Sequence, residues 1–85
     1  MSFLRSLFGG GKPDVAQLAA DRDVEALIEA LGYQRDASIR RAAADALGTL
    51  GDQRAKTALH AALEDDDTAV RVAAQSALGK LVKDA

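Results

Sequence analysis

The sequence predicts an all-α protein built as a short stack of antiparallel helix pairs. Three observations carry that expectation. Alanine dominates the apolar content, with 19 Ala in 85 residues and aromatics at only 4%. Ala has the best helix propensity because it loses no side-chain entropy and crowds nothing. A single Pro leaves helices almost uninterrupted. Finally, the chain writes one line twice. IRRAAADALGTLGD at 39–52 returns as VRVAAQSALGKLVKD at 70–84.

The first segment, 1–22, reads as a cap. Each layer of such a stack hides its apolar face only against its neighbours, so the ends need cover. Phe3, Leu4, Leu7 and Phe8 form an apolar cluster before Gly9, Gly10 and Gly11. A short helix folded back by the Gly turn is expected. The alternative for Met1–Phe8 is a tag that docks on a partner or a membrane surface. Arg5 is the only basic residue in the cluster, whereas interfacial helices carry several. Pro13 suits the first turn of a following helix, in which Val15 and Leu18 stand three apart.

The first repeat is expected at 23–51. Val24, Leu27, Ile28 and Leu31 step along one helix face. Ile39, Ala42, Ala43, Ala46, Leu47 and Leu50 do the same on a longer helix and are expected to face the stack. The second repeat, 52–85, copies both halves with Ala55, Ala58, Leu59, Ala62 and Leu63, then Val70, Ala73, Ala74, Ala77, Leu78 and Leu81. Arg71 follows Arg40 by 31 residues, and Asp67 follows Asp36 by the same interval. Upstream the interval is 32, and a turn at GYQRD absorbs the extra residue. A helical period just above 30 means stacked helix pairs.

The punctuation agrees. Asp36 and Asp67 precede the longer helices and can cap free N–H groups. Gly51 can take the left-handed conformation that stops a helix, and Asp52 can cap the next. Loops this short force consecutive helices antiparallel. Gly48 and Gly79 lie late in their helices, where Gly costs about 1 kcal/mol against Ala. A close neighbour is expected at each. The last repeat carries Val82 and Lys83 where the first has Gly51 and Asp52. Its helix is therefore expected to fray around 83–85. Its outer flank, including some of Ala58, Ala62, Val72 and Leu81, is expected to stay partly exposed. Self-association or docking onto another chain through that end follows.

Composition narrows the function classes. A net charge of −2 disfavours a nucleic-acid binder, which needs a basic surface. The absence of Cys removes disulfides, thiolate metal sites and Cys nucleophiles. No apolar run approaches spanning length, so no membrane role is expected and residence is expected to be cytoplasmic. His60, the only His, follows Leu59 on a short helix and is expected to face solvent. The acidic run Glu64–Asp67 lacks the Gly turn and spaced ligands of a calcium loop and reads as a capping turn. Arg35, Arg40, Arg41 and Arg54 are interleaved with Asp36, Asp45 and Asp52, and lack the aromatics that stack bases. No phosphate loop, nucleophile elbow or metal-ligand spacing stands out. No enzyme activity, catalytic residue, cofactor or metal is expected.

The unit ALIEAL–turn–D–IRRAAADALGTLGD resembles the HEAT-like repeats of the phycobilisome-lyase type, over Asp23–Leu81. The resemblance implies a short right-handed α-solenoid with second helices lining the concave side. It implies a protein-binding scaffold, although some members are bilin lyase subunits or pigment-attachment chaperones. A related group is DNA glycosylases. It further implies that the turn Asp and second-helix Arg tie repeats together, here Asp36 with Arg40 and Asp67 with Arg71. Asp65, six before Arg71, is another position often acidic, and Gln34 departs from it in the first repeat. Ala37 and Thr68 stand where the family often has Pro.

A partner surface is expected on the exposed side of the second helices. Its members are Arg41, Ala44, Asp45 and Thr49, then Val72, Gln75, Ser76 and Lys80. Arg41 is the best anchor, since hot spots favour Trp, Tyr and Arg. The function expected is a small non-catalytic scaffold or adaptor for another protein. The alternative is an accessory subunit in bilin, pigment or cofactor attachment. A DNA-repair-like binder is disfavoured by the acidic balance.

Overall fold

An aspartate opens five of the six helical segments described. The side chains of Asp14, Asp23, Asp36, Asp52 and Asp67 accept from the backbone N–H of Gln17, Ala26, Ser38, Arg54 and Val70, at 2.9–3.1 Å. Each satisfies a donor that the helix itself leaves free. The computed structural model describes residues 11–84, so the expected cap at Met1–Phe8 lies outside the described residues. The segments are α1 (Val15–Ala20), α2 (Val24–Ala30), α3 (Ala37–Leu50), a 3-10 turn (Gln53–Ala55), α4 (Lys56–Ala62) and α5 (Thr68–Asp84). Pro13 is buried just before the Asp14 cap rather than inside the first turn, which corrects the sequence reading. Gly51 closes α3 at φ 68°, and its N–H donates to the Leu47 carbonyl at 3.1 Å. That conformation costs glycine nothing.

The pairs α2–α3 and α4–α5 stack as a short α-solenoid. The most extensive helix contact is between α3 and α5, while α1 packs on α2 and α3. Leu27, Leu47, Leu59, Leu81 and Val70 are the largest fully buried side chains. Ala26, Ala30, Ala43, Ala44, Ala55 and Ala74 fill the seams between them. Small side chains let helix axes approach, and the branched ones fill the remaining gaps.

The buried face of α3 is turned from the expected one. Arg40, Ala43, Ala44, Leu47 and Gly48 are buried, whereas Ile39, Ala42, Ala46 and Leu50 are only half-buried. The cause is position: α3 touches α1, α2 and α5, so its buried arc swings toward the second pair. At Gly48 the expected close neighbour exists. A Cβ there would lie 2.8 Å from both Cα and Cβ of Ala77. At Gly79 the expectation fails, because among the described residues nothing lies within 4 Å of the same position.

In the last layer part of the expected flank is exposed and part is covered. Leu81 and Ala62 are buried, since they turn toward the core they share with their own pair. The Gln53 side-chain amide donates to the Leu81 carbonyl at 3.1 Å and ties α5 to the 3-10 turn. Ala58 is half-buried and Val72 exposed. The helix continues to Asp84, and Ala85 lies outside the described residues.

Acid should loosen the start of α3. Ser38 bonds Asp36 through its hydroxyl at 2.6 Å, and Lys12 Nζ adds a bond at 3.0 Å. The Ser38 hydroxyl first, then Lys12 and the Ser38 N–H, lower the Asp36 carboxyl from 3.8 to about 2. A carboxyl held below its unfolded value stabilises the fold above that value. The contribution is lost as pH falls through the folded one. Stability should therefore decline between about pH 4 and pH 2. Carboxyl NMR should place the Asp36 midpoint near 2, and Ser38→Ala should raise it. A midpoint unmoved by that substitution would refute the assignment.

Candidate functional site

One side chain crosses between the layers. Arg40, in the first turn of α3, donates from Nη1 to the carbonyls of Tyr33 and Gln34 at 2.9 and 3.2 Å. Its Nε and Nη2 grip the two carboxylate oxygens of Asp65 at 2.9 and 3.0 Å. The planar guanidinium suits this two-point hold. The Arg40 and Asp65 side chains are only 11% and 13% exposed. The bond from Arg40 pulls the Asp65 carboxyl below its ordinary value despite the opposing effect of burial. The Asp67 N–H adds to the pull, donating to Asp65 at 2.9 Å.

Three expected tie residues act nearer home. Asp36 caps α3 and reaches Lys12 rather than Arg40. Asp67 caps α5 through the Val70 N–H. Arg71 donates from Nη1 to the carbonyls of Asp65 and Asp66 at 2.7 and 3.1 Å, and from Nη2 to the Thr68 hydroxyl at 2.9 Å. Between the repeats the acid that Arg40 finds is therefore Asp65, which corrects the pairing with Asp36.

The expected partner surface forms two rows. Arg41, Asp45 and Thr49 run along α3, and Val72, Ser76 and Lys80 along α5, all exposed. Residues four apart share a helix face, which makes each set a line. Arg41, Asp45, Val72 and Ser76 meet at an open groove of about 420 Å³, floored by Ala69 and Ala73. Thr49 stands outside it and bonds the Asp45 carbonyl at 3.1 Å. Lys80 lies over Gly48. Gln75 lines a different groove of about 370 Å³ with Leu63, Thr68, Arg71 and Val72. Ala44 is fully buried and leaves the surface, a correction that follows from the turned face of α3. His60 is exposed on α4. Among the described residues no three His, Asp or Glu side chains group as a metal site.

Residues 24–85 match a family model described as HEAT repeats. The chain belongs to the HEAT-repeat family. HEAT repeats generally serve as protein-interaction scaffolds. No curated protein matches the chain closely. In this HEAT-repeat protein no helix among the described residues is long and apolar enough to cross a membrane. What the sequence reading missed is the buried fork between Arg40 and Asp65. The one available signal was Asp65 itself, acidic where the first repeat has Gln34.

Proposed function

We propose that this HEAT-repeat protein is a small non-catalytic scaffold or adaptor that holds another protein along the α3–α5 groove. The observation that carries the reading is Val72, 58% exposed and lining the same groove as Arg41. Val82 on the same helix is more exposed still, but Val72 is the one that lies in a groove beside charged groups. Arg41 supplies a donor fork, and Asp45 an acceptor of opposite charge beside it. The groove is small and nearly free of aromatic anchors, so the complex should be transient.

The test is capture from the source cells with the wild type and with an Arg41→Glu, Val72→Asp double variant. Both side chains are exposed, so the fold should survive. A protein partner should be recovered at least about tenfold less with the variant. Equal recovery would remove the groove from the reading. The pigment-attachment reading rests on the resemblance of the repeat unit to the phycobilisome-lyase type. Recovery of tetrapyrrole colour or phycobiliproteins would put an accessory subunit in place of the scaffold. Salt-sensitive retention of DNA would point instead to a repair-like binder.

A further inference from the structure

We propose that the partner held in the α3–α5 groove is a helix with an acidic, a basic and an acidic side chain at successive four-residue steps. The inference rests on the groove reading above and adds the chemistry of its occupant. Arg41 stands at the head of the groove, and Asp45 lies one helical turn further on. Lys80 reaches in from the opposite wall, its Cδ 3.5 Å from where a Cβ on Gly48 would lie. Gly48 is seven residues beyond Arg41, roughly 10 Å along α3. The order along the groove is therefore positive, negative, positive, at intervals close to one helical turn.

Among the described residues neither Arg41, Asp45 nor Lys80 enters an ion pair, whereas Lys12, Arg40 and Arg54 each hold a carboxylate. Arg41 and Asp45 do not hold each other, although they stand four apart on one helix. The base precedes the acid, and that order is the poorer one for a pair on a helix. Between the charges the surface is small and apolar. Ala69 and Ala73 form the floor, and Val72 forms one wall. A large aliphatic side chain of the partner fits there, between its charged positions.

Charge order and floor select the occupant together. Side chains four residues apart share one face of a helix at about 6 Å intervals, which matches the row. An extended peptide with the same charges would press unpaired backbone N–H and C=O groups onto the apolar floor, whereas a helix satisfies its own. Nucleic acid does not qualify, because a run of phosphates would meet the Asp45 carboxylate. Nor does a second copy. The order acid, base, acid at four-residue steps occurs nowhere in the 85 residues.

The probes are two helix-stabilised peptides of one composition, titrated into the isotope-labelled full protein. The first carries Glu, Lys and Glu at four-residue steps with Leu on the stripe between them. The second carries Glu, Glu and Lys, and in either direction it meets two like charges. With the first, shifts are expected at Arg41 Nε–H, the Val72 methyls and the Ser76 amide. The second should bind about tenfold more weakly. Asp45→Lys makes all three charges of the groove positive and should bring the two peptides level. Val72→Asp should weaken both alike, and about 1 M salt should erase the preference. A Pro in the middle of the first peptide should abolish its shifts. Equal binding of the two peptides by the wild type overturns the proposal and leaves the scaffold reading to the capture experiment. A preference that survives Asp45→Lys overturns it, as does binding of the Pro version. Failure of both peptides at about 1 mM overturns it too. The same shifts on concentrating the protein alone, or on adding single-stranded DNA, would replace the helix with a second copy or a nucleic acid.

Discussion

Arg40→Ala is expected to lower the unfolding free energy by about 3–5 kcal/mol. The substitution strands the Asp65 carboxylate in a largely buried position and removes a donor from the carbonyls of Tyr33 and Gln34. Breaking one side of a buried pair costs more than the pair contributes, because the remaining charge has lost its compensation. Small domains hold only about 5–15 kcal/mol in total, so the variant should sit near the edge of folding. Urea unfolding measures it directly. Arg40→Lys should recover only part of the loss, since an ammonium cannot grip both oxygens as the fork does. Arg71→Ala is the control. Among the described residues Arg71 bonds carbonyls and a hydroxyl and no carboxylate, and its loss should cost about 1 kcal/mol. Similar losses at Arg40 and Arg71 would show that the crossing to Asp65 contributes nothing.

Gly48→Ala and Gly79→Ala should move stability in opposite directions. Helix propensity alone predicts that both gain about 1 kcal/mol. At Gly79 no described residue opposes that gain, because the added methyl meets none of their atoms within 4 Å. At Gly48 the methyl would stand 2.8 Å from the Ala77 Cα, which is backbone and cannot turn aside. The helices must separate, and a net loss of about 1–3 kcal/mol is expected. Thermal unfolding of the two variants decides it. A gain at both positions would mean that α3 and α5 are not held as close as described.

These two cases also show what the sequence could and could not say. The period of 31 residues, the Ala-rich seams and the stop–start at Gly51–Asp52 are written in residue types, so the helix pairs and their order were legible. The partner of Arg40 was not. Asp36, Asp65 and Asp67 are the same chemistry, and choosing among them requires the angle at which α5 crosses α3. The two LG dipeptides at Leu47–Gly48 and Leu78–Gly79 are identical as text. They differ only in what lies opposite, which is a property of the stack. Ala44 failed for the same reason. A helix in contact with one neighbour would expose it, and α3 has three. Arg41, Asp45, Val72 and Ser76 are exposed, and their surface position could be read from spacing alone.

The Arg40–Asp65 fork and the Gly48–Ala77 contact fall eight residues apart on α3, roughly 12 Å along its axis. One fastening would leave α5 free to pivot. Two leave it neither sliding nor swinging, so the tilt between the layers is set by chemistry at both ends of one helix. The width of the groove between Arg41 and Val72 is then a dependent dimension. A partner that needs it wider must strain a buried ion pair or a packed backbone. Shape at this surface is thus selected from below, by residues the partner never touches.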